Sequence, residues 1–116
     1  MEDTRTASQQ ITETVTAWPG VTAGDGPRGE WSLRLGRREL GHLHGDRIAH
    51  LFFPKSLWEA LRAEGRIEPH PVFPDRAGPA SRQIENQEDV DDVIALLRLS
   101  YDRAAARFGV VEVKEG

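Results

Sequence analysis

Arg38-Glu39-Leu40-Gly41-His42-Leu43-His44-Gly45-Asp46-Arg47-Ile48-Ala49-His50-Leu51-Phe52-Phe53-Pro54 is the stretch whose reading decides the fold. It reads as two strands joined by a turn at Gly45-Asp46, since glycine reaches positive φ without steric cost and aspartate tolerates that region. It carries three of the four histidines. Side chains alternate between faces along a strand. Leu40, His42 and His44 therefore share one face, and Ile48, His50 and Phe52 share one face of the next strand. A tight turn sets His44 near Arg47 or Ile48 and places His42 across the ladder from His50. Leu43 and Leu51 face the other way, as in strands covered on both sides.

Upstream, residues 30–35 alternate cleanly, with Trp31, Leu33 and Leu35 on one face and Ser32 and Arg34 on the other. Gly36-Arg37 turns this strand into the hairpin, giving a three-stranded antiparallel meander. Residues 21–29, with Gly24, Gly26, Pro27 and Gly29, read as a surface loop. It is not a phosphate cradle, because no Lys-Ser/Thr pair and no helix start follow. Residues 5–17 read as a helix whose Ile11, Val15 and Trp18 form one apolar stripe. Thr6 and Gln9 have capping-box spacing, and Pro19-Gly20 ends the helix.

Downstream, Pro54 opens a helix containing Leu57, Ala60 and Leu61, with Gly65 just past its end. Residues 67–73 read as extended; Pro69 and Pro71 restrict them to an edge or irregular strand. A loop over 74–79 leads to a short strand at 80–84. Asn86 is an N-cap candidate for a helix over 86–108. Glu88, Asp89, Asp91 and Asp92 read as its solvated start, favoured by the helix dipole. Val90, Val93, Ile94, Leu97 and Tyr101 form its apolar face, Gly109 stops it, and 110–116 reads as a tail or a brief added strand. The resulting order, α-β-β-β-α-β-β-α, predicts the α+β class: an antiparallel sheet of about five strands with helices packed on it.

The chain has 116 residues, no cysteine and a net charge of −4. This length suits one domain spanning 1–116. The lack of cysteine excludes disulfides, thiolate metal sites and a cysteine nucleophile. No apolar run nears the roughly 20 residues that span a bilayer. Met1-Glu2-Asp3-Thr4 is unlike a signal peptide, so a cytoplasmic location is expected. The acidic balance predicts no nucleic-acid partner, and the lack of a spanning apolar run predicts no membrane partner. Arg34, Arg37, Arg38 and Arg47 read either as an anion contact or, more simply, as solvated hairpin ends.

Several motifs occur together in order: Trp18-Pro19-Gly20-Val21, the strand over 30–36, Gly41-His42-Leu43-His44-Gly45 and Leu51-Phe52-Phe53-Pro54. Leu61-Arg62-Ala63-Glu64-Gly65-Arg66, His70-Pro71-Val72-Phe73-Pro74-Asp75 and Leu96-Leu97-Arg98-Leu99-Ser100-Tyr101 follow. Together they resemble the small stand-alone "luciferase domain" proteins of bacteria, over residues 16–104. The resemblance bears on fold and domain extent. The flavin-dependent bacterial luciferases are large α/β barrels, which 116 residues do not suffice to build.

His42-x-His44 is the sharpest chemical signal. Two histidines at i and i+2 on a strand point to one side and can chelate one divalent metal. His50 on the partner strand is the candidate third ligand, with Asp46, Asp75 or Glu39 as a carboxylate. The pair echoes a cupin metal motif, but Gly45-Asp46-Arg47-Ile48 stands where that motif has its glutamate. Metal-free ligand binding, acid/base work and half-buried structural histidines remain the alternatives. His70, held between Pro69 and Pro71, and Asp75 are candidate rim residues. No serine sits in a nucleophile elbow. The expected function is a small-ligand-binding or interaction domain with a histidine-lined cleft. The alternative is a small enzyme, metal-dependent or not, using His42, His44 and His50.

Overall fold

The computed structural model describes residues 4–108. Within them, three helices and six strands follow one another: α1 (Ala7–Thr16), β1 (Val21–Asp25), β2 (Trp31–Leu35), β3 (Arg38–His44), β4 (Ile48–Phe52), α2 (Lys55–Ala63), β5 (Glu68–Pro69), β6 (Pro79–Gln83) and α3 (Gln87–Phe108). The strands form one antiparallel sheet in the order β1-β2-β3-β4-β6-β5. The α+β class is as expected, with six strands where about five were expected. The additional strand is β1, inside the segment read as a loop. Its Val21 to Asp25 pair with Leu35 to Trp31. Its glycines resemble those of a loop, and as an edge strand with only Val21 buried it gives little apolar alternation. Only Glu68 and Pro69 of the expected extended stretch 67–73 pair with the sheet. The chain turns after Pro69 because Phe73 N–H donates to the His70 carbonyl. Gly109 and the expected tail lie outside the described residues.

Local chemistry explains the elements. Thr6 and Gln9 close a reciprocal capping box on α1. Pro54 serves α2 as its N-cap rather than as its first residue. The Asn86 side chain accepts from Asp89 N–H at the start of α3. Gly45 turns the β3–β4 hairpin at φ +63°, a region costly for other residues.

Registry divides the sheet into two faces. Leu33, Gly41, Leu51 and Ala80 are neighbours across β2, β3, β4 and β6. This row faces α3, since a Cβ on Gly41 would meet Leu97 Cδ2 at 2.9 Å. Helices α1 and α3 pack on each other and on this side of the sheet. Val90, Val93, Leu96, Leu97 and Tyr101 of α3 are buried, whereas Ile94 is half-buried. The next row, Ser32, His42, His50 and Ser81, occupies the opposite face.

The acidic start of α3 is not simply solvated, as the sequence suggested. Asp89 pairs with Arg82 at 2.6 Å, and Asp92 joins Arg82 at 2.6 Å and Arg66 at 2.7 Å. The Arg82 hydrogen bond holds the Asp89 carboxyl below the usual carboxylate range. Arg82 reaches the helix because its strand alternates it onto the helix side of the sheet.

Candidate functional site: an imidazole cluster on the open sheet face

The hairpin registry sets His42 opposite His50 and His44 opposite Ile48. The rings follow. Centroids of His42 and His44 are 5.0 Å apart, those of His42 and His50 5.2 Å, and those of His44 and His50 4.7 Å. One nitrogen from each of these three rings lies within 4.8 Å of the others. His70 joins from the turn after β5, its ring 4.1 Å from His50. All four histidines are thus gathered in one place. Asp75 is exposed and Asp46 accepts from Ser8 N–H; neither shares the cluster's ring contacts or hydrogen bonds among the described residues.

Glu39 is the carboxylate that does join. Its Oε1 lies 2.7 Å from His42 Nδ1, and its Oε2 accepts from the Ser32 hydroxyl at 2.8 Å. Strict alternation would put residues three apart on opposite faces. The β2–β3 register, however, passes from Leu33–Gly41 to Arg34–Glu39, leaving Leu40 unpaired with β2. This bulge brings Glu39 to the side of Ser32 and His42, so the expected Leu40/His42/His44 row is interrupted at Leu40. The available signal was Gly41: a glycine inside a strand marks a bulge or a close approach.

A carboxylate only accepts, so the Glu39 contact calls for the hydrogen on His42 Nδ1, which in a neutral ring leaves the lone pair at Nε2. That Nε2 lies 3.3 Å from His50 Nδ1. His50 Nε2 is buried and has no hydrogen-bond partner among the described residues. His70 is different: its Nδ1 accepts from Val72 N–H at 3.1 Å, which leaves a neutral ring its hydrogen on Nε2.

Burial, and then the neighbouring His70, His42 and His44, push the His50 pKa down to about 4. Burial and the same neighbours His42 and His44 lower His70. Both rings resist the protonation that they would accept in the unfolded chain. Stability is therefore complete above about pH 6.5 and declines as pH falls through the window towards 4. A shift of this size in His50 amounts to about 2 kcal/mol between pH 7 and pH 5. His50→Phe should remove about that much of the acid loss, measured by urea melts at the two pH values. An unaltered pH dependence in the variant would assign the loss to other groups.

Beside the rings lies a cleft of about 220 Å³, walled by His42, His50, His70, Phe52, Phe73 and Pro79 among others. Phe52 and Phe73 remain 64% and 41% exposed, so the cleft mouth is apolar. Its volume is below the roughly 300–1,000 Å³ of drug-sized sites. No described helix is long and apolar enough to cross a membrane.

A family model described as Luciferase domain matches residues 37–100. The matched segment is shorter than the 16–104 resemblance read from the motifs, yet it contains His42, His44, His50, His70 and Glu39. No curated protein and no solved structure matches the chain.

Proposed function

The chain belongs to the Luciferase domain family, and from that premise we propose that it is a small-ligand-binding domain whose cleft, lined by His42 and His50, borders a divalent-metal site of His42, His44 and His50. The observation that carries this reading is the convergence of three ring nitrogens within 4.8 Å of one another. Ligand nitrogens on a tetrahedral zinc, at Zn–N of about 2.0–2.1 Å, sit about 3.3 Å apart. His42 Nε2 and His50 Nδ1 already have that spacing, 3.3 Å. An ion between them would replace the proton they share, with His50 then carrying its hydrogen on Nε2. His44, exposed and adjacent to both rings, would supply the third nitrogen.

The lowered His50 pKa supports a metal ligand over a general base. A base works best when its pKa lies near the operating pH. An imidazole held near 4 is a weak base at neutral pH, but its lone pair is free for a metal. An enzyme is the second reading. Three protein ligands leave a tetrahedral ion one open position, and the adjacent cleft would admit a substrate group to it.

The test is native mass spectrometry of the purified protein with Zn²⁺ or Ni²⁺, backed by calorimetry. One ion per chain is expected, with affinity falling on acidification because protons compete with the metal for the imidazole lone pairs. An absence of binding at neutral pH would remove the metal and leave a metal-free ligand site to be sought in the same cleft.

A further inference from the structure

We propose that Glu39 is a positioning residue that holds His42 as its Nδ1–H tautomer and so keeps the His42 Nε2 lone pair available beside His50. The inference deepens the metal reading, but its first test needs no metal. Its basis is the geometry of the bulge. The unpaired Leu40 moves Glu39 to the open face, next to His42 and opposite Arg34. There both carboxylate oxygens are occupied. Oε1 takes the His42 Nδ1 hydrogen at 2.7 Å; Oε2 takes the Ser32 hydroxyl at 2.8 Å, with Arg34 Nη2 3.8 Å away.

Ser32 is 1% exposed, so the far end of the carboxylate is anchored on a buried group rather than on a mobile surface side chain. The near end can then act on the imidazole as a fixed acceptor. Which imidazole nitrogen bears the hydrogen is set by the bond the other nitrogen makes. Were the hydrogen on Nε2 instead, it would occupy the atom 3.3 Å from His50 Nδ1. His42 would lose both its acceptor role and its capacity to ligate at that atom. A carboxylate behind a ligating histidine fixes ring orientation and tautomer, and its removal costs roughly 10–100-fold in metal affinity.

The experiment is long-range ¹H–¹⁵N correlation NMR at neutral pH on metal-free protein, followed by zinc titration. Wild type should show His42 with a protonated Nδ1 and an unprotonated Nε2. Glu39→Leu should move the hydrogen to Nε2 or mix the two forms, and should weaken zinc about 10–100-fold. Glu39→Gln, whose amide oxygen can still accept, should keep the Nδ1–H form and bind zinc closer to wild type. A packing role for Glu39 would not separate the leucine and glutamine variants in this way. A wild-type His42 protonated on Nε2, or an unchanged tautomer in Glu39→Leu, would overturn the assignment. Failure of the wild type to take up zinc would sink the metal reading alone, since the metal-free spectra judge Glu39 independently.

Discussion

Zinc affinity should fall by well over 100-fold in His42→Ala and stay nearly unchanged in His70→Ala. The contrast is sharp because both rings belong to one cluster and differ mainly in where their lone pairs lie. His42 gives its Nδ1 hydrogen to Glu39 and retains a lone pair at Nε2, 3.3 Å from His50 Nδ1. In the proposed site its removal would delete a direct ligand, and the effect should exceed the roughly 10–100-fold loss that follows removal of an outer partner. His70 uses its Nδ1 lone pair to accept from Val72 N–H, so its neutral ring has no second lone pair to offer. Its place over His50, with Phe73 5.6 Å beyond, is that of a cleft wall. Calorimetric titration of the three proteins at pH 7 measures the difference. Equal losses in both variants would mean that the site depends on the fourfold stack as a whole, and the three-ligand set would have to be abandoned.

The meeting of His42 and His50 was legible because a two-residue side-chain period and a short glycine turn together fix registry. His44 followed by the same period. Glu39 was visible as a nearby carboxylate but not as the partner of His42, since a bulge breaks the very period on which the reading relied. Asp75 stood five residues from His70, yet sequence proximity means little after a turn. The ion pairs of Arg82 with Asp89 and Asp92 were hidden for another reason. They join β6 to α3 through the packing angle of a helix on a sheet, which no local pattern encodes. β1 was lost because edge strands need only one buried face and one neighbour, and Val21 and the small Ala23 alone supplied the apolar signal. By contrast, α3 showed itself from cap to last turn. Its N-cap, its acidic first turn and its apolar stripe all indicate the same element.

That helix supports the histidine strand from behind, which makes Leu97 a residue whose truncation should weaken both the fold and the support of the site. Leu97 is 1% exposed, and its Cδ2 lies where a Gly41 Cβ would stand 2.9 Å away. Gly41 precedes His42, so helix and site are separated by one backbone. Leu97→Ala should cost about 2–5 kcal/mol, the range for large-to-small changes where the surroundings cannot collapse. Collapse is restricted here because β3 is hydrogen-bonded on both sides, to β2 and to β4. Gly41→Ala attacks the same contact from the sheet side. The added methyl would also meet the His50 carbonyl at 2.9 Å, a backbone atom that cannot rotate away. It should cost about 1–3 kcal/mol as overpacking. Removing Leu97 relieves only one of the two clashes, so the double variant should be less destabilised than the sum of the single ones, though worse than Leu97→Ala alone. Urea melts of the four proteins would measure this cycle. A cost below about 0.5 kcal/mol for Leu97→Ala would take α3 out of the core that holds the imidazole strand in place.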